Sequence, residues 1–111
     1  MALSSLYTKE ELEIMLKVIE YASERFGTVY IPEPELIKTK LFPRDIAMGK
    51  TVVLIANNQS VLDEYGDLKS LREESNAKGN PEKTEIEIAR KFGKLLSYDE
   101  KSIEELIAKH G

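Results

Sequence analysis

The chain has 111 residues, a formal charge of −4, 32% charged residues, no cysteine and one histidine, His110. That length allows one modest core and no second catalytic domain. The missing cysteines exclude disulfides, thiolate zinc sites, iron–sulfur clusters and cysteine nucleophiles, and a lone imidazole beside the C-terminus suits a helix end better than a triad.

No leader pattern opens the chain, and no apolar stretch approaches the roughly 20 residues that span a bilayer. A soluble, cytoplasmic protein with no membrane partner is expected. Abundant Glu, Lys and Ile suit a heat-adapted source.

The first element is announced by Thr8-Lys9-Glu10-Glu11, a capping box in which threonine and glutamate satisfy each other's orphan backbone donors. The helix should run from Lys9 to Phe26 and stop at Gly27. Its apolar residues make two adjoining stripes, Leu12, Met15, Leu16, Ile19, Ala22 and Phe26 on one, Ile14, Val18 and Tyr21 on the other. Together they cover about 220° of the circumference, roughly twice what a surface helix needs. Such a helix belongs at the centre of the fold, or shares its second stripe with another chain.

Thr28 to Ile31 is β-type, and Pro34 suits the first turn of a short helix reaching about Lys40. Leu41-Phe42-Pro43 should end it, with one further turn from Pro43 to Met48 closed by Gly49. Thr51 to Leu62 then runs without a charge, so it must be buried; its first half, Thr51 to Ala56, reads as a strand pairing with Thr28 to Ile31, with a buried helix as the alternative. After the turn Asn57 to Ser60, with Ser60 as cap, a helix is expected from Val61 to about Glu74 on the apolar face Val61, Tyr65, Leu68 and Leu71.

Asn76 to Pro81 is the clearest break and the place for a hinge. From Glu82 a helix carries Ile86, Ile88, Ala89, Phe92, Leu95 and Leu96, and Ser97 should cap a last helix that turns Ile103, Leu106 and Ile107 inward. These elements predict an α+β, helix-dominated small domain over residues 1–111, with four to six helices and at most a short two-stranded β element. An all-α bundle is the alternative.

Four patterns bear on function. Gly49-Lys50-Thr51 imitates the end of a phosphate loop, but Arg44 stands where the first glycine belongs and the motif would open a strand instead of a helix. Ile88 to Gly93 has the small and apolar residues of a helix-turn-helix, with Tyr98 to Lys109 as its reading helix. Against that stand a connection that Lys94 to Ser97 extend beyond the usual length of about 3–4 residues, and the acidity of Asp99, Glu100, Glu104 and Glu105, which phosphates would repel.

Third, Lys38, Lys40, Arg44 and Lys50 face only Asp45 within thirteen residues, and Arg90, Lys91 and Lys94 form a second trio unopposed along the chain. One basic face on an acidic body would hold a nucleic-acid backbone without reading sequence, while an ordinary solvated surface of mixed sign is the simpler interpretation. Finally, the pairs Glu10/Glu11, Glu73/Glu74 and Glu104/Glu105 point about 100° apart into water, so they cannot share a proton as catalytic carboxylates do.

The expectation is a non-catalytic protein, without cofactor or small-molecule substrate, that works by contact. It would be a small subunit or adaptor of a larger assembly, with a protein partner or self-association. In general outline a compact acidic helical chain with basic patches is similar to the small subunits of ribonucleoprotein complexes, CRISPR effectors among them, although no motif carries the resemblance. The alternative is sequence-nonspecific nucleic-acid binding through the seven cations, or a helix-turn-helix-like regulator.

Overall fold

The computed structural model describes residues 1–42 and 49–110. Among them are strands β1 (Ala2–Leu3), β2 (Val29–Glu33) and β3 (Val52–Ala56), and helices α1 (Lys9–Phe26), α2 (Gln59–Ala77), α3 (Glu82–Leu95) and α4 (Glu100–His110). The fold is a helix-dominated α+β domain. Its contacts gather into two compact units, one made of Met1–Leu36 and the stretch ending at Leu62, the other of the segment that begins at Ile37 and the chain from Asp63 onward.

In the first unit α1 begins and ends where local chemistry dictates. Thr8 Oγ1 accepts the Glu11 N–H at 3.4 Å and Glu11 Oε1 accepts the Thr8 N–H at 3.0 Å. At the far end Gly27 takes φ 68°, a left-handed conformation that costs glycine little. The Thr28 N–H then donates to the Ser23 carbonyl at 3.1 Å, which turns the chain into β2.

The sheet is antiparallel with order β1-β3-β2, pairing Tyr30 with Ile55 and Ile31 with Leu54 on one side of β3, and Leu3 with Leu54 on the other. It thus has three strands where two were expected. A strand of two residues has no periodicity to read; β1 exists because β3 offers it a free edge, which Ser4 extends by donating its N–H to the Val53 carbonyl at 3.0 Å. Val52, Val53, Leu54 and Ala56 are all buried, so both faces of the central strand are covered. That is why the charge-free run shows no alternation.

The second unit is built around Phe92, Ile88, Ala89, Leu68, Tyr65, Ile103 and Leu41. Phe42 meets Phe92 edge-on at 6.0 Å between centroids, and Tyr65 lies 6.2 Å from Phe92. α3 comes so close to α4 that a Cβ at Gly93 would stand 2.6 Å from Ile103 Cγ1.

Three local expectations are corrected here. The short helix from Pro34 to Lys40 does not form, because other groups take its backbone polar atoms. The Glu33 carboxylate accepts the Glu35 N–H, the Tyr65 hydroxyl accepts the Ile37 N–H at 3.0 Å, and the Arg72 guanidinium donates to the Lys38 carbonyl at 3.0 Å. The cap of α2 is Asn58, whose Oδ1 accepts the Val61 N–H at 3.3 Å, while the Ser60 hydroxyl donates to that same oxygen. The helix therefore starts at Gln59, and it continues to Ala77.

Ser97 closes α3 instead of opening α4. It takes φ 64° and donates its N–H to the Lys94 carbonyl, with the Tyr98 N–H reaching the Gly93 carbonyl, a left-handed helix end. Asp99 is the cap of α4, accepting the Ser102 N–H at 2.7 Å. The break expected at 76–81 is where α2 yields to α3: Gly79 and Asn80 have positive φ, and the Asn80 N–H donates to the Ser75 carbonyl at 2.8 Å. The turn expected over Pro43–Met48 lies outside the described residues.

Candidate interaction surfaces

α1 lies against the sheet through Ile19 and Ser23, which are buried, with Leu12, Leu16 and Met15 half-buried beside them. The second stripe is left in solvent: Ile14 is 68% exposed, Val18 54% and Tyr21 66%. Phe26, placed with the inward stripe from its spacing, is 74% exposed. The expected central position of α1 is therefore corrected, because the fold covers one stripe and leaves the other open. Single exposed apolar residues are ordinary on any surface, but three at i, i+4 and i+7 on one helix make a continuous seam.

Polar neighbours define the ends of that seam. Three residues before Ile14 stands Glu11; four beyond Tyr21 stands Arg25, whose Nη1 lies 3.5 Å from the Tyr21 hydroxyl. Hydrogen bonding from the Thr8 backbone N–H and from the Thr8 side chain holds the Glu11 carboxyl below its ordinary range, with a smaller contribution from the Lys50 ammonium. Glu11 is thus a fixed negative charge at the start of the seam.

The seven cations named from the sequence are dispersed. Arg44 lies outside the described residues. Lys38 and Lys40 belong to the second unit, where Lys40 Nζ pairs with Glu82 at 3.1 Å, whereas Lys50 belongs to the first, close enough to act on Glu11. The trio on α3 is not unopposed in space. Arg90 pairs with Glu104 of α4 at 2.7 Å, and Lys91 with Glu87 one turn back at 3.2 Å. All four partners are about half exposed, so each pair adds little stability, but each also cancels a positive charge that a phosphate would need.

The helix-turn-helix pattern fares unevenly. The connection from α3 to α4 is Leu96 to Asp99, four residues, so the length objection drawn from the sequence is removed. The charge objection stands, since Glu100, Glu104 and Glu105 are exposed along α4.

An open groove of about 520 Å³ runs between α2 and α3 in the second unit, with Leu68, Leu71 and Leu95 on its floor, Glu64 and Asp67 on one wall, and Lys91 and Lys94 on the other. Elsewhere in that unit Arg72 and Glu85 form a mostly buried ion pair, joined by Ser75 and Asn80. Its hydrogen bonds hold the 37–42 segment, α2 and α3 together, a structural task. Among the described residues no group of three His, Asp or Glu side chains is placed to hold a metal, and no helix is long and apolar enough to cross a membrane.

Compared with protein-family models, curated proteins and solved structures, the chain matches none.

Proposed function

We propose that this chain is a non-catalytic subunit or adaptor of a larger assembly, and that it docks through the outer face of α1. The observation that carries this reading is the solvent exposure of Ile14, Val18 and Tyr21 on a helix whose opposite face already serves the fold. Leaving three large apolar side chains in water costs solubility and contributes nothing to folding, so the reading gives them a use in contact. Nucleic acid is the less favoured partner, since Lys40, Arg90 and Lys91 are neutralised by Glu82, Glu104 and Glu87. The cytoplasm is the compartment proposed for this work, where a chain without cysteines gives up no disulfide.

The test is affinity purification from the source cells with the wild-type chain and with a Val18→Glu, Tyr21→Glu variant. Both substitutions sit on the solvent face, so helicity by circular dichroism should be unchanged. The wild type should retain a stoichiometric partner, a second copy included, which the variant loses. Recovery of the same partners by both would overturn the reading.

A further inference from the structure

The seam on α1 carries more information than its apolar character. Read in order it is Glu11, Ile14, Val18, Tyr21, Arg25, alternating steps of three and four residues, the spacing that lets two helices interlock along a narrow line. Glu11 and Arg25 each lie seven residues from Val18, about 10 Å along the helix axis in opposite directions. Ile14 and Tyr21 lie four and three residues from it. The seam is acidic at one end, basic at the other and apolar between, with Val18 at its midpoint.

Such a sequence is complementary to itself when reversed. Laid antiparallel on a copy with the two-fold axis at Val18, each Glu11 faces an Arg25, Ile14 faces Tyr21 and the valines meet. Laid parallel, Glu11 would face Glu11 and Arg25 would face Arg25, like charges at both ends. We therefore propose that the outer face of α1 binds the same face of a second copy of this chain, antiparallel about Val18. This rests on the docking role assigned above to that face and names its occupant.

The parts needed are already oriented. Glu11 is held at the start of the seam by its Oε1, which accepts the Thr8 N–H at 3.0 Å. Arg25 lies along the seam beside the Tyr21 hydroxyl, so little side-chain freedom is lost on pairing. A two-fold contact buries the same patch on both partners, as most homodimers do. A single helix pair buries at most about 1,000 Å² in total, at the low end for specific contacts, so the dimer dissociates on dilution. On one rim, which the two-fold sets beside its own copy, Lys17 is outnumbered by Glu10, Glu13, Glu20 and Glu24, so these like charges oppose the pairing and the dimer should tighten as salt screens them.

The absence of cysteine makes the geometry directly testable in the full purified chain. Sedimentation velocity should show a concentration-dependent dimer that Val18→Glu abolishes. Under mild oxidation Val18→Cys should link to itself, because disulfides need Cα atoms within about 7 Å. Glu11→Cys or Arg25→Cys alone should not, whereas a mixture of the two should link at least about five-fold faster than either, helicity being checked for each variant. A chain that stays monomeric at every concentration, or Glu11→Cys that links to itself as readily as the mixture, overturns the proposal. If the purified chain is monomeric while Val18→Glu, Tyr21→Glu still loses a different partner from cells, the self-pairing falls and the docking role stands; if nothing depends on this face, both fall.

Discussion

At Gly93 two effects of known size oppose each other. Alanine is the better helix former by about 1 kcal/mol, yet here its Cβ would stand 2.6 Å from Ile103 Cγ1 and 2.8 Å from Cδ1. Ile103 is itself buried, so it must shift within a packed core, and overpacking of that kind costs about 1–3 kcal/mol. The steric term wins over most of that range, so Gly93→Ala should lower stability by up to about 2 kcal/mol. Gly66, on α2, is the control: nothing lies within 4 Å of the Cβ it would gain, so Gly66→Ala should raise stability by up to about 1 kcal/mol. Urea denaturation of the two variants checks both signs at once, and the same sign for both would contradict the close approach of α3 and α4.

Helix starts decide how the elements respond to acid. Glu11 in the capping box of α1 and Asp99 at the cap of α4 both have their carboxyls held below the ordinary range, by hydrogen bonds from Thr8 and from Ser102 respectively. A pKa depressed in the folded state means stability that is present above the unfolded pKa and lost as pH falls through the folded one. Glu11→Gln with Asp99→Asn keeps an acceptor oxygen at each site but removes the titration, so the fall in urea midpoint across the carboxylate range should be shallower than in the wild type. Equal slopes would mean that neither contact persists in solution. These caps also show what the sequence discloses. The bounds of α1 are legible because Thr8, Glu11 and Gly27 act on their immediate neighbours. Ser60 and Ser97 mislead because Asn58 and Asp99, two residues from each, supply the caps instead, through the Val61 and Ser102 amides. The absent helix after Pro34 is illegible for a different reason: the groups that disarm it, Tyr65 and Arg72, lie 28 and 34 residues from their partners. For the candidate surface, spacing reveals both stripes of α1 but not which one the sheet would cover. The pairing of Arg90 with Glu104 likewise exists only once α3 and α4 are side by side.

In the whole molecule, sequence order and spatial order part company, because the second unit draws on a segment that precedes β3 as well as on the chain from Asp63. That segment supplies Leu41, which is fully buried, and Phe42, which stacks edge-on against Phe92 at 6.0 Å and Tyr98 at 6.4 Å. It also gives Tyr65 and Arg72 hydrogen-bond partners at Ile37 and Lys38. Losing one buried leucine side chain costs about 2–5 kcal/mol, whereas a core of this size supplies only about 3–5 kcal/mol in all. A peptide of residues 63–111 therefore has three helical sequences and no stable fold, although nothing in its own pattern reveals the deficit. It should melt without a cooperative transition in circular dichroism, and joining residues 37–46 to its N-terminus through a Gly/Ser linker should restore a sigmoidal one. A cooperative transition in the bare peptide would show that the 37–42 segment is an ornament on the helices and not part of their core.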